Sequence, residues 1–211
     1  MKYYIKNGNC GTEYIFKVIG SKWRPQIIAF CNAMGNVSYS FLKKNIPDIT
    51  DTSLSRQLAG LTQEGMLEKD NNGNYFLTEK GIALLPAMTM MLTLATKCNY
   101  QQNYSSAIEF VNKLIGSKWK SRIIWILFHA ENIRFNALQN SIEGLSHKIL
   151  NEQLQDLLRY NLIEKIIFEE KEPHVEYRLT ENGKIAYQII DLCAEWCLTQ
   201  KIINPTVTIE Y

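Results

Sequence analysis

Polar side chains in two short segments have the donors and acceptors that read the edges of DNA bases. Arg56 and Gln57 lie in the first half of the chain, and Asn151 and Gln153 lie in the second. Arginine can bridge O6 and N7 of guanine, and glutamine suits adenine. The full set of predicted DNA-binding residues is Thr50, Thr52, Ser53, Ser55, Arg56, Gln57, Lys43, Lys44, Ser146, His147, Lys148, Asn151, Gln153, Lys118 and Lys120.

Basic residues near these segments could contact phosphate, which positions a protein on DNA without reading sequence. They are Lys22, Arg24, Lys43 and Lys44 in the first half, and Lys118, Lys120, Arg122 and Arg134 in the second. Charge alone does not decide the matter. Residues 1–105 have 11 Lys and Arg against 7 Asp and Glu, whereas residues 106–211 have 12 against 14. The prediction therefore depends on how these residues are arranged.

Other chemistries find little support in the residue pattern. The five cysteines are odd in number and scattered, which is typical of a reducing compartment. Cys193 and Cys197 share a helix face but offer only two ligands, so we predict no metal site. The three histidines are isolated and no glycine-rich phosphate loop is present. We therefore predict no cofactor and no enzyme activity.

The elements that position these side chains belong to a chain of 211 residues, long enough for two domains of about 100 residues each. Apolar residues make up 46% and charged residues 21%, close to the averages of globular proteins. No apolar run reaches the roughly 18 residues of a membrane span, and residues 1–8 lack the apolar block of a signal peptide. These features predict a cytoplasmic protein without a membrane segment.

The sequence contains an internal repeat. Ile-Gly-Ser-Lys-Trp at 19–23 recurs at 115–119, an offset of 96 residues, and residues 14–69 share 17 identities in 56 positions with residues 110–165. Leu-Thr-Glu-x-Gly at 77–81 matches 179–183 at an offset of 102, so the second copy has six extra residues before this motif. We predict that the extra residues form a loop or hairpin tip, where length changes are tolerated.

Both copies show the same predicted order of elements. In the first copy, helices span about 12–19 and 23–33, Ser38 caps a short third helix, and Thr50 caps a fourth. The fourth helix places Leu54, Leu58 and Leu61 on one face. A β-hairpin over 66–77 and a long helix over about 79–97, capped by Thr78, follow; the last helix of the second copy spans about 181–201. These elements predict a mainly α fold with small β-hairpins (α+β): two tandem winged helix-turn-helix domains.

Each copy resembles the HxlR-type bacterial transcription regulators, which are winged helix-turn-helix proteins of MarR-like shape. The similarity is carried by Ile-Gly-Ser-Lys-Trp, by Leu-Ser-Arg-Gln-Leu at 54–58 and Leu-Asn-Glu-Gln-Leu at 150–154, and by Leu-Thr-Glu-x-Gly after the wing. The resemblance covers roughly residues 10–98 and 106–201, and a polar segment lies between the two parts. We therefore predict one domain over 1–98, a linker over 99–105 and a second domain over 106–211.

Family members are single-domain chains that dimerise through terminal helices, so the resemblance implies an intrachain pseudo-dimer; further homodimerisation stays open. We expect the first closing helix to pack against the second. The predicted contact residues are Leu84, Leu85, Met88, Met91 and Leu92 on the first and Ile189, Leu192 and Trp196 on the second. Met88, Met90 and Met91 are then interface residues rather than an effector pocket, and Trp23 and Trp119 are core residues rather than a ligand platform.

These features predict a sequence-specific regulator of transcription that binds double-stranded DNA and responds to a small-molecule or oxidant effector. Cys10 matches the family's usual cysteine before the first helix, where some members sense oxidants, and it is the candidate for redox sensing. The second copy has Ser106 at that place.

The second copy is less suited to DNA than the first. Glu152 replaces Arg56; a glutamate accepts from cytosine and repels phosphate. Its wing tip, residues 169–173, reads Glu-Glu-Lys-Glu-Pro. Either the two halves prefer different half-sites, or only one reads bases. The alternative function is a protein-interaction module in which one or both repeats no longer read DNA.

Overall fold

The computed structural model describes residues 11–169 and 173–202. The first repeat consists of α1 (Gly11–Ile19), α2 (Arg24–Met34), α3 (Tyr39–Asn45), α4 (Asp51–Gln63), β1 (Leu67–Lys69), β2 (Tyr75–Leu77), α5 (Glu79–Ile82) and α6 (Leu85–Lys97). The second consists of α7 (Tyr104–Ile115), α8 (Lys118–Ala130), β3 (Ile133–Arg134), α9 (Phe135–Asn140), α10 (His147–Arg159), β4 (Ile163–Phe168), β5 (His174–Leu179) and α11 (Glu181–Thr199). The predicted fold class is confirmed.

Helix starts follow the capping residues of the sequence. Ser38, Thr50 and Thr78 each accept a hydrogen bond from a backbone N–H in the first turn of the helix that follows. Ser146 and Thr180 do the same in the second repeat. Each cap satisfies one of the N–H groups that a helix start leaves without a partner.

The two repeats share their backbone turns as well as their elements. Left-handed residues occur in matching pairs at both offsets: Gly35 and Glu131, Asp48 and Gly144, Gly65 and Asn161, Asn99 and Lys201. A non-glycine residue adopts positive φ only where the surrounding structure requires it. The pairing of a glycine with another residue in three of these cases shows that the turn, and not the residue type, is what the repeats have in common.

The hairpin of the second repeat is longer than that of the first, and the prediction that the six extra residues form a loop or tip was wrong. Leu67 pairs with Leu77 in the first hairpin, and Ile163 pairs with Leu179 at the equivalent place in the second. From that shared pair, β1 and β2 run for three residues each, whereas β4 and β5 run for six. Adding three residues to each strand keeps the register intact, so the insertion lengthens the antiparallel ladder.

The helix predicted over 79–97 is broken in the structure, whereas its counterpart α11 is continuous. The break lies between α5 and α6, where Pro86 occupies the first turn of α6. Proline has no N–H to donate, and its ring clashes with the carbonyl four residues earlier, here that of Ile82. The second repeat has no proline in α11. Helix α7 begins at Tyr104, capped by Asn103, inside the segment predicted as a linker.

Helices of the two repeats pack directly against each other: α6 against α7 and α11, α1 against α7 and α11, and α2 against α7. Met88, Met91 and Ile189 have no exposed surface, and Leu85, Met90, Leu92 and Leu192 pack against the same core while partly exposed. Trp196 of α11 is 4% exposed, and its indole N–H donates to the carbonyl of Lys80 in the first repeat at 3.0 Å. The predicted packing of the two closing helices is confirmed.

The two Ile-Gly-Ser-Lys-Trp motifs lie close to each other at this junction. Asn112 of α7 donates through its side-chain amide to the carbonyl of Phe16 in α1 at 3.0 Å. A Cβ atom at Gly20 would lie 1.8 Å from that amide nitrogen, and one at Gly116 would lie 2.9 Å from the Phe16 ring. Glycine is therefore required in both motifs because α1 and α7 approach closely there.

Candidate nucleic-acid interface

Each repeat contains a helix-turn-helix, formed by α3 and α4 in the first and by α9 and α10 in the second. The second helix of each pair is amphipathic. Its rear face is held in the core by three buried leucines: Leu54, Leu58 and Leu61 in α4, and Leu150, Leu154 and Leu157 in α10. The opposite face is left in solvent, which is the arrangement required of a recognition helix.

The exposed face of α4 carries Thr52, Ser55 and Arg56. Arg56 makes no hydrogen bond or ion pair with any other residue in the described part of the chain. Ser55 shares a 3.3 Å contact with the hydroxyl of Tyr39, and Ser53 accepts from the Thr50 hydroxyl at 2.9 Å. Arg56 is consequently the long side chain on this face that is available to a base edge.

The exposed face of α10 carries Lys148, Asn151 and Glu152, with Gln153 half-buried beside them. None of the four has a hydrogen-bond or ion-pair partner among the residues that the structure describes. The second repeat therefore also presents a polar face without internal partners, and its charges differ from those of α4.

Arg24 and Gln57 were predicted to contact DNA, and the structure pairs them with each other. The Arg24 guanidinium donates through Nε to Oε1 of Gln57 at 3.0 Å and through Nη1 to the Glu64 carboxylate at 2.9 Å. Gln57 is half-buried, and its amide oxygen is held against Arg24 of α2, whereas reading adenine requires the amide oxygen and nitrogen to face the base edge together. The contact between Arg24 and Gln57 therefore fixes α4 to the start of α2, and neither side chain is free to face DNA.

Lys120 and Arg122 are also buried, contrary to the phosphate contacts predicted for them. Lys120 is 7% exposed and forms an ion pair with Asp156 of α10. Arg122 is 8% exposed, and its guanidinium carbon lies 5.9 Å from the centre of the Trp119 ring. A buried cation already held by protein groups cannot reach a phosphate, so neither residue belongs to the proposed interface.

The first turn of α4 contains a small polar network that was not predicted. Asp51 is ion-paired with Lys43 at 3.1 Å and accepts from the Tyr39 hydroxyl at 3.1 Å. These hydrogen bonds lower the pKa of Asp51, and the one from Lys43 has the largest effect. In the second repeat the ring of His147 contacts the ring of Phe135 instead, at 4.5 Å between centres. Lys43 is thus shared between Asp51 and a prospective phosphate.

The remaining basic residues differ in how they are held. Lys22 lies over the Trp23 ring at 4.2 Å, and Lys118 lies over the Trp119 ring at 4.5 Å. Both rings are partly buried and pack against the core, in agreement with the packing role predicted for the tryptophans. Lys44 is exposed. Lys22, Lys44 and Lys118 therefore keep charges that can meet phosphate.

The Leu-Thr-Glu-x-Gly motif ties each wing to its recognition helix, a role that the sequence did not reveal. Thr180 donates its hydroxyl proton to the carbonyl of Asn161, just after α10, at 2.6 Å. The same oxygen accepts from the N–H of Gly183 at 3.2 Å. Thr78 makes the equivalent contacts to Gly65 and Gly81 in the first repeat. The threonine thus caps one element and anchors it to another.

The glycine of this motif is required by close packing, and Gly183→Ala is expected to destabilise the protein by about 1–3 kcal/mol. A Cβ atom there would lie 2.0 Å from the carbonyl oxygen of Leu162 and 2.9 Å from a methyl group of Leu179. Urea denaturation of the variant measures the loss. Asn182→Ala, one residue earlier in the same helical turn, is the matched control and should change stability by less than about 0.5 kcal/mol. Equal stability of the two variants would contradict the packing argument.

The two wings differ in chemistry as well as length. At the first tip, Asp70 accepts from the backbone N–H groups of Asn72 and Asn74, which closes a tight turn. In the second wing, Phe168 stacks on His174, with 4.6 Å between ring centres, and Ile167 is exposed. Residues 170–172 of its acidic tip lie outside the described part of the chain. Neither described wing segment offers an arginine at its tip.

Three of the four cysteines in the described segments are buried, and the fourth, Cys98, is half-buried. Burial raises the pKa of the Cys31 thiol to about 12 and also raises the pKa of Cys98. Cys193 and Cys197 are buried in α11. Cys10 lies outside the described residues, so its sensing role stays a prediction. Within residues 11–169 and 173–202, no group of His, Cys, Asp or Glu side chains could hold a metal ion, and no helix is long and apolar enough to cross a bilayer.

Slightly less than half of the chain is similar to proteins that are named as regulators. A protein of Fusobacterium mortiferum named regulatory protein MalR is 33% identical to this chain over 96 residues. The matched segment is 46% of this chain and 91% of MalR. The HTH-type transcriptional regulator YdzF of Bacillus subtilis is 33% identical over 92 residues, 44% of this chain and 84% of its own length. The solved structure of an HTH-type regulator, ytcD, is 29% identical and superposes with a TM-score of 0.42. The superposed part is 46% of this chain and 97% of the ytcD chain.

Both halves of the chain match one family of helix-turn-helix domains. The sequence profile of the HxlR-like helix-turn-helix matches residues 18–103 and again residues 114–203. Each match spans one of the two winged helix-turn-helix units of the structure. The resemblance drawn from the sequence motifs is confirmed: this chain belongs to the HxlR-like helix-turn-helix family and contains two copies of its domain.

Proposed function

We propose that the protein is a sequence-specific DNA-binding regulator of transcription in which one chain supplies both recognition helices. The observation that carries the proposal is the pair of exposed polar faces on α4 and α10. On α4 the exposed Arg56, and on α10 the exposed Lys148, Asn151 and Glu152, have no partner among the described residues, while buried leucines hold each helix from behind. A firmly held helix whose long exposed side chains have no partner within the protein is suited to binding an external polar surface.

The phosphate contacts come from a smaller set of residues than the sequence predicts. We assign them to Lys22, Lys43 and Lys44 in the first repeat and to Lys118 and Lys148 in the second. Thr50 lies at the start of α4, and Ser146 and His147 lie at the start of α10. Backbone N–H groups at these helix starts favour the binding of an anion such as phosphate. A protein that neutralises several phosphates releases counterions, so its DNA affinity falls steeply with salt.

The first measurement is binding of the purified protein to the DNA upstream of its own gene, at several salt concentrations and with excess random DNA. Specific binding with a steep salt slope supports the proposal. If a pool of genomic fragments also yields no specific binding, the protein-interaction module becomes the better reading. The acidic second wing and Glu152 are the features that favour that second candidate.

Arg56→Ala is expected to weaken specific binding by about 5- to 150-fold, the range of one good arginine–guanine contact. Binding is measured by fluorescence anisotropy on a site selected from a random pool. Gln63→Ala is the matched control, since Gln63 is exposed in the last turn of α4, away from the helix start. Lys44→Ala should instead weaken binding to all sequences alike and reduce the salt slope by about one. If Arg56→Ala binds as tightly as the control, Arg56 does not contact a base, and the assignment of α4 as the helix that reads sequence loses its main support.

Regulation by a small-molecule or oxidant effector is part of this proposal. A groove of about 850 Å³ in the second repeat is lined by Arg178 at the base of the wing, Asn161 after α10 and Lys184 at the start of α11. A ligand bound there would contact the wing and the closing helix together, and so could change the angle of the recognition helices. Identical DNA affinity in the presence of every oxidant and candidate ligand tested would count against this part.

A further inference from the structure

The two recognition helices present opposite charges at equivalent positions. Arg56 follows the Thr50 cap by six residues, and Glu152 follows the Ser146 cap by six residues. The buried leucines that flank them, Leu54 and Leu58 in one case and Leu150 and Leu154 in the other, are also equivalent. The two side chains therefore leave their helices in the same direction relative to the fold, and both are exposed.

The contacts behind the two helices differ in a way that extends this asymmetry. Arg24 reaches Gln57 and Glu64 across Gly60; a Cβ atom at Gly60 would lie 2.6 Å from Nη2 of Arg24. In the second repeat Asp156 takes the place of Gly60 and pairs with Lys120. That pairing leaves Gln153 without the partner that Gln57 has. The second repeat therefore differs from the first in its support as well as on its surface.

We propose that the protein recognises a non-palindromic DNA site, in which Arg56 contacts guanine in one half-site and Glu152 contacts cytosine at the equivalent position of the other. This inference rests on the proposed function and specifies its substrate. Two identical readers related by a two-fold axis require the same base on the strands that they read. Because guanine and cytosine pair, the exchange of arginine for glutamate reverses one base pair and removes the palindrome at that position.

Glu152 contributes to discrimination more than to affinity. Its carboxylate accepts from N4 of cytosine, but it is repelled by the phosphates on either side. A wrong base leaves the carboxylate without a donor in a desolvated groove, so mismatches are disfavoured even though the correct contact is weak. The expected discrimination between the two base pairs is about 5- to 150-fold in dissociation constant.

The test is a selection from a random duplex pool with the full-length wild-type protein and with Glu152→Arg. The wild type should enrich two half-sites that differ at the position described, and the variant should enrich a site that is palindromic there. Two synthetic duplexes, one asymmetric and one palindromic at that base pair, then give the affinities by anisotropy. The wild type should prefer the asymmetric duplex by about 5- to 150-fold, and the variant should reverse that order.

Gln155→Arg is the control, because Gln155 is exposed on the same helix and the substitution adds positive charge without altering position 152. It should strengthen binding to both duplexes and leave their order unchanged. The inference would be overturned if the wild type enriched a site that is palindromic at this position, or if the Glu152→Arg variant still bound the asymmetric duplex more tightly. Either result would leave the proposed function standing. If the wild type enriches no sequence, the proposed function itself fails.

Discussion

Trp196→Ala is expected to lower the free energy of unfolding by about 3–5 kcal/mol, the cost of removing a large buried aromatic side chain. Trp196 is 4% exposed and joins the two repeats. Its indole donates to the Lys80 carbonyl, and its ring lies 6.5 Å from the ring of Tyr14 in a stacked arrangement. Removal leaves a cavity at the junction and an unpaired carbonyl. Urea denaturation followed by circular dichroism measures the loss.

Trp196→Phe separates the two causes, since it keeps an aromatic ring but removes the indole donor. It should cost clearly less than the alanine variant. Because the junction sets the separation of α4 and α10, Trp196→Ala should also weaken DNA binding under conditions in which the variant is still folded. A variant with wild-type stability would show that the contact between the repeats contributes little.

The second large effect is expected from Leu154→Ala, at about 2–5 kcal/mol of lost stability. Leu154 has no exposed surface and lies in the middle of the rear face of α10. Without it, the recognition helix loses its central anchor, and its packing is no longer fixed before DNA arrives. Specific DNA affinity should fall as well, although Leu154 cannot touch DNA.

Leu58→Ala is the matched variant in the first repeat, where Leu58 is 1% exposed at the equivalent position. The two variants should lose similar amounts of stability. If the junction couples the repeats into one cooperative unit, each variant unfolds in a single transition. Two separate transitions, with only one of them shifted by each substitution, would show that the repeats unfold independently.

Most of the fold follows from local sequence signals. The 96-residue offset, the capping residues Ser38, Thr50 and Ser146, and the leucine spacing in α4 are properties of contiguous segments, so most helices and both hairpins were predicted in the correct order; the short strand β3 was not. The break before α6 could have been predicted too, because Pro86 is visible in the sequence and its effect on the preceding turn is general.

The support of the candidate site was not predictable in the same way. Arg24 looks like an exposed phosphate ligand until α4 places Glu64 beside it, 40 residues further along the chain. Lys120 likewise pairs with Asp156, which lies 36 residues further along the chain. Such pairs depend on how helices cross, which neither periodicity nor capping reveals. Exposed side chains such as Arg56 need no partner within the chain, and their placement could therefore be read from helix spacing alone.

The close contact of Asn112 with Phe16 has a consequence for how the protein responds to its own abundance. Separate subunits must first associate, so the occupied fraction of a DNA site at low concentration varies with the square of subunit concentration. Here the chain between Cys98 and Asn103 and the packed junction hold both recognition helices together at any dilution. For a chain that binds DNA without further association, occupancy then varies with the first power of concentration, which makes the response to expression level less steep than that of a regulator assembled from two separate subunits.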